Sequence, residues 1–249
     1  MGRRVEVHCQ DNSIATLKMN DTEGKNIFTR AFIEDLLYGL DELENVHKPK
    51  VAILQGLQDV FCGGADKQTL LDLCDGKVDM GDVLVSERLL RIPFPLIAAI
   101  EGHAVGGGLL VGLCCDIIVA ARESRYGAVF MTMGFTPGMG CTTLLAELVG
   151  PYIANEMMFT GKRFRGSELE DKNTQINYIV PRREVLPKAN DLALQISEMN
   201  IQSLYLLKHS LSARKKKILI EARLQEDLMH RISFSSPETR RTIEERYVD

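Results

Sequence analysis

No window of this 249-residue chain comes near the roughly eighteen unbroken apolar residues that a membrane-spanning helix requires. The first ten residues are polar from the start and carry no apolar signal core, so a cytoplasmic protein is expected. The chain opens Met-Gly, yet Glu6 occupies the place where a myristoylation signal has Ser or Thr. Its six cysteines show no CxxC spacing and sit mostly in apolar surroundings, which points to reduced, buried thiols and no metal site. There is no low-complexity tract. A net charge of −4 argues against nucleic acid as a partner. What remains, 45% hydrophobic and 26% charged, is the composition of a globular protein with a substantial core.

What is abundant is glycine, in particular places. Residues 95–100 form a short apolar run, Glu101-Gly102-His103 a turn, and Gly106-Gly107-Gly108 stand at the mouth of an uncharged helix running to Cys115. Three glycines there are costly in backbone entropy, so the main chain must be needed bare, with N–H groups free to face a ligand. A phosphate loop fits poorly, because no Lys-Ser or Lys-Thr pair follows and the GxGxxG spacing is absent. An oxyanion hole fits better: a backbone N–H that stabilises a carbonyl oxygen as it gains charge.

Residues 4–19 read as a β-hairpin turning at Gln10-Asp11-Asn12. Phe28-Thr29 opens an amphipathic helix with Phe32, Leu36, Leu37, Leu40 and Leu43 on its apolar face. Residues 51–55 form a buried strand, followed by the glycine-containing turn 59–66 and a helix over 67–74. Strand, glycine turn and helix thus recur about forty residues apart, the alternation of an α/β domain with parallel pairing. Helices are predicted over 141–149, 153–159, 182–199, 204–212 and 218–234. The corresponding division is an α/β core over 1–195 and a helical region over 196–249.

Five motifs in order resemble the crotonase (enoyl-CoA hydratase/isomerase) superfamily over nearly the whole chain. They are Phe61-Cys62-Gly63-Gly64-Ala65-Asp66, residues 97–108, Cys115-Asp116-Ile117, residues 135–140 and Phe159-Thr160-Gly161. The resemblance implies an α/β spiral of ββα repeats, a helical C-terminal trimerisation region, and thioester substrates on a pantetheine arm. It implies a homotrimer or a dimer of trimers, no cofactor, and an oxyanion hole from the N–H groups of Ala65 and Gly107. The family's hydratases carry a glutamate pair, and the corresponding positions here are Leu110 and Phe130. Neither side chain can move a proton, which excludes water addition by the usual pair.

An apolar pocket with an oxyanion hole can still stabilise a thioester enolate, and loss of CO₂ forms one without a base. The chain is similar to a subgroup of polyketide β-branching cassettes that decarboxylates 3-methylglutaconyl on an acyl carrier protein. Residues 131–140, Leu206-Leu207-Lys208-His209 and residues 226–230 carry that likeness. It implies His230 and a lysine at the acyl end. Lys67, two residues past Ala65, and Lys77, twelve past it, are both candidates, with Lys77 better placed for a distal carboxylate. Leu110, Phe130 and Met133 are assigned to the acyl pocket. His103 and His209 are read as structural. Arg214-Lys215-Lys216-Lys217 is read as a solvated run or a contact for an acidic carrier protein. A double-bond isomerase, a dehydratase and a non-catalytic acyl-binding scaffold are the competing readings.

Overall fold

The structure, a computed structural model, describes residues 3–10, 13–78 and 85–247. Strands Val5–Gln10 (β1) and Ile14–Met19 (β2) pair antiparallel from Val5↔Met19 to Gln10↔Ile14, which realises the expected hairpin. Its turn residues Asp11 and Asn12 lie outside the described residues. Val51–Gln55 (β4), Leu96–Ile100 (β7), Ile117–Ala121 (β9) and Tyr178–Val180 (β12) continue the sheet, each parallel to its neighbour, in the order β1-β2-β4-β7-β9-β12. Both faces are covered. Ala52, Leu54, Ala98 and Ile100 join the main core, while Ile53, Ile97, Ala99 and Val119 pack with Val185, Ala189 and Ala193 of helix Arg182–Ser197 (α8). A strand buried on both faces has no polar side to alternate with, hence the uninterrupted apolar runs.

A second sheet, in the order β11-β10-β8-β5, is built from Val60–Cys62 (β5), His103–Val105 (β8), Arg125–Gly127 (β10) and Phe164–Arg165 (β11). A two-stranded ladder joins Ile27–Phe28 (β3) to Gly64–Ala65 (β6). The repeating unit is therefore a strand in the large sheet, a short strand in the small one, then a helix. β4 and β5 lead to Lys67–Cys74 (α2), and β7 and β8 to Gly107–Leu113 (α4). β9 and β10 lead on to Cys141–Val149 (α5). The "glycine turns" of the sequence conceal the second strand of each unit, since three residues are too few to display a period.

Arg30–Glu42 (α1) begins where expected, capped by Thr29, whose hydroxyl accepts from the Phe32 N–H at 3.2 Å. The chain departs from expectation further on. The two helices predicted over 204–212 and 218–234 are one helix, Ile201–Phe234 (α9). The intervening residues 213–217 are Ala, Arg and Lys, good helix formers with no glycine or proline among them. Nor is the basic run wholly solvated. Lys215 Nζ donates to the carbonyls of Leu113 and Cys115 at 3.1 and 2.6 Å, closing the C-terminal end of α4, and Arg214 pairs with Glu147 at 2.8 Å. The expected boundary at 195/196 falls in the last turn of α8. A final helix, Pro237–Arg246 (α10), follows. No helix among the described residues is long and apolar enough to cross a membrane.

Candidate active site

The two glycine segments meet face to face. Gly106 adopts φ 55°, ψ −128°, a conformation open only to glycine, and its N–H donates to the Gly127 carbonyl at 2.9 Å. That turn makes Gly107 the first residue of α4, where helix geometry leaves the N–H without an intrahelical acceptor. Gly108 lies so close to β5 that an alanine Cβ would collide with the Cys62 carbonyl. Gly64, at φ +83°, is equally confined: a Cβ there would stand 2.9 Å from the Val105 carbonyl oxygen and 3.4 Å from the Gly107 nitrogen. Ala65 follows it, and Asp66 then caps α2, accepting from the Thr69 N–H at 2.9 Å.

Ala65 and Gly107 line one cavity of about 450 Å³. Its walls are mainly apolar, among them Phe28, Leu70, Phe130, Met133, Phe135 and Met139. The cavity wall holds no carboxylate among the described residues, so nothing there can act as the family's acidic pair. Leu110, assigned to the acyl pocket from the sequence, is fully buried in the core and is absent from this wall. It stands one turn further along α4 than Gly107, deeper in the core. Arg163, Arg246 and Tyr247 also line the cavity, and no sequence signal pointed to them.

A neighbouring cavity of about 520 Å³ contains His230, Lys77, Asp227 and Arg231, and Leu73 borders both cavities. His230 is 5% exposed. The Thr136 carbonyl can only accept, so His230 Nε2–H donates to it at 2.9 Å, and Nδ1 is left buried with no partner among the described residues. Its ring packs edge-on to Phe234 at 5.5 Å, and Phe234 stacks at 4.6 Å on Phe135 of the first cavity. Lys77 sits at the rim, its ammonium 2.9 Å from Asp75 and 3.6 Å from Asp72; the Asp75 hydrogen bond and charge raise its pKa. Lys67 lines neither cavity. Its Nζ donates to the Glu244 carbonyl at 2.9 Å.

Leu219, Ala222, Glu226, His230 and Phe234 form the buried stripe of α9, a 3–4 residue spacing legible in the sequence. It places Glu226, 1% exposed, beneath the site. The Glu226 carboxylate accepts from the N–H groups of Gly140 and Thr142 at 2.7 and 2.9 Å, and from the Thr142 hydroxyl at 2.7 Å. These donors are the N-terminus of α5, which suits a buried carboxylate. Lys208 binds both oxygens of Asp116, at 2.8 and 2.7 Å. His103 is structural as expected: burial lowers its pKa, Arg182 and Arg125 adding to the effect, and its Nδ1 accepts from the Arg125 N–H at 3.0 Å. His209 is exposed.

A family model for enoyl-CoA hydratase/isomerase matches residues 9–248. The chain belongs to the enoyl-CoA hydratase/isomerase family. Within it, the chain is 34% identical over 237 residues to the bacillaene synthase decarboxylase PksI of Bacillus subtilis, covering 95% of each. A solved structure from a dehydratase/decarboxylase enzyme couple of polyketide β-branching matches with TM-score 0.95 at 33% identity, covering 99% of this chain and 100% of that one. The ECH2 decarboxylase domain of CurF from Lyngbya majuscula matches with TM-score 0.92, also at 33% identity, over 99% and 100% of the two chains. The crotonase spiral expected from the motifs is the fold observed.

Four of the six cysteines are buried thiols. Burial pushes the Cys62 thiol up to about 12 and Cys114 to about 11, and raises Cys115 and Cys141 as well. Iodoacetamide at mildly alkaline pH is expected to spare these four in the native protein and to label all six cysteines in denaturant, as peptide mass mapping would register.

Proposed function

We propose that the protein decarboxylates a 3-methylglutaconyl-type thioester, held on the phosphopantetheine arm of an acyl carrier protein, to the 3-methylcrotonyl thioester in polyketide β-branching. The observation that carries this reading is the cavity: Ala65 and Gly107 at one end, apolar walls without a carboxylate, and a neighbouring space lined by His230 and Lys77. The likeness to the two decarboxylases supports it.

In this reading the thioester oxygen lies against the N–H groups of Ala65 and Gly107, an oxyanion hole. The acyl chain then extends past Leu73 so that its distal carboxylate meets Lys77. The bond between the carboxylate carbon and the γ carbon breaks and CO₂ leaves. The electron pair passes through the double bond to the thioester oxygen, where the two N–H groups stabilise the charge. Protonated His230 delivers a proton from Nδ1 to the γ carbon and regains one from solvent; its Nε2, fixed on Thr136, holds the ring in place. Lys67, engaged with the Glu244 carbonyl, serves the structure rather than the acyl end. The exposed apolar stripe Ile220, Leu224, Leu228, Ile232 on α9 supports assembly into a trimer.

Intact-mass analysis of a carrier protein loaded with 3-methylglutaconyl tests the reaction. Loss of one CO₂ is expected, slowed by roughly 10²-fold or more in His230→Ala, and slowed more by Lys77→Ala than by Lys67→Ala. An unchanged acyl mass overturns the proposal, and the position of the double bond then separates an isomerase from an acyl-binding scaffold.

A further inference from the structure

Ala65 belongs to β6, an element of two residues paired among the described residues with the two residues of β3, and it follows two glycines. So short a ladder fixes a peptide weakly, although a donor to an oxyanion must be held to a fraction of an ångström. The Ala65 carbonyl faces an unusual partner, the hydroxyl of Tyr247, which donates to it at 2.8 Å while the ring forms part of the cavity wall. Tyr247 is itself carried at the end of α10, and α10 is fastened to both sides of the cavity. On the α2 side, Lys67 donates to the Glu244 carbonyl at 2.9 Å and Arg240 pairs with Asp75. On the opposite side, the buried Thr239 hydroxyl donates to the Gly134 carbonyl at 2.7 Å, directly after the turn that carries Phe130 and Met133. Ile243, fully buried, anchors the helix between them.

We propose that Tyr247 is a positioning residue, and that α10 is a brace that sets the Ala65 main chain against the Phe130–Met133 wall. The inference rests on the reading of Ala65 as one of the two N–H donors. It assigns Tyr247 no contact with the reacting atoms: the hydroxyl acts through the Ala65 peptide. It also accounts for Lys67, whose ammonium is used to hold α10 down over α2.

Tyr247→Phe keeps the ring and the wall but removes the donor. The Thr69 and Leu70 amides report the start of α2 next to Ala65, because they donate to the Asp66 side chain and carbonyl at 2.9 and 3.1 Å. Their hydrogen exchange in Tyr247→Phe is expected to accelerate roughly tenfold, the scale of one lost hydrogen bond, with exchange in β4 and β7 unchanged. On the loaded carrier protein, kcat is expected to fall about tenfold with KM within twofold, because ground-state contacts survive while the donor is misplaced. Thr239→Val, cut at the other end of the brace, is expected to shift the same amides in the same direction. Unaltered exchange at Thr69 and Leu70 in both variants overturns the brace, and a fall in kcat/KM carried by KM alone overturns the positioning role. If the wild-type protein releases no CO₂, the exchange result still decides the brace, and the decarboxylase reading fails separately.

Discussion

Gly64→Ala is expected to lower decarboxylation by roughly 10²–10³-fold, the cost of losing one preorganised oxyanion donor. The alanine Cβ meets no flexible side chain that could yield. It meets main chain: the Val105 carbonyl oxygen at 2.9 Å and the Gly107 nitrogen at 3.4 Å. The residue also stands at φ +83°, where an L side chain is strained. Relief requires the Ala65 segment to move away from α4, which separates the two N–H groups proposed to share one oxygen. Single-turnover kinetics on the loaded carrier protein would measure the loss. Gly150→Ala is the control, because Gly150 has φ +84° with nothing within 4 Å of its Cβ and lines neither cavity, so it carries backbone strain without displacing a donor. Activity retained in Gly150→Ala and retained equally in Gly64→Ala would remove the oxyanion assignment.

The second large effect is on stability. Lys208→Met is expected to destabilise the protein by about 3 kcal/mol, near the lower end for breaking a buried ion pair. The Lys208 side chain is 2% exposed and that of Asp116 25%, so the abandoned carboxylate recovers some water and the full penalty is not reached. Asp116 has a further duty: its Oδ2 accepts from the Leu96 N–H at 2.7 Å, at the start of β7. Hydrophobic replacement of both partners therefore leaves a strand N–H unsatisfied, whereas Lys208→Met with Asp116→Asn keeps an acceptor for it. Urea unfolding should place that double variant above Lys208→Met alone. Equal stability of wild type and Lys208→Met would show the pair to be energetically silent.

The legible part of the molecule was the part in which local chemistry and fold agree. The long apolar strands 51–55 and 96–100, the capped start of α1 and the glycine triplet each state their role in a few residues. The spacing of Leu219, Ala222, Glu226, His230 and Phe234 announces one buried face. Three-residue strands such as β5 and β8 escape, because their identity comes from the partner strand rather than from a pattern. α9 is one helix where the sequence reads two, and its basic run is not solvated throughout, because Lys215 is drawn in by the open carbonyls at the end of α4. Position along the chain puts Leu110 in the acyl pocket, but one turn along α4 from Gly107 it is covered by the core instead of the cavity. Tyr247 and Arg163 could not be found from local sequence, because nothing near them along the chain reveals what they approach in space.

Phe28 and Tyr247 stand on the wall of the same cavity, with almost the entire chain between them. Contacts of such long sequence separation carry a loop-closure cost that the sheets between them must offset. A partly folded chain can therefore own both sheets and most of its helical signal while the cavity is still open to water. Such a species would hold a reactive acyl group without protecting it. Activity therefore reports on a closure that secondary structure alone does not register.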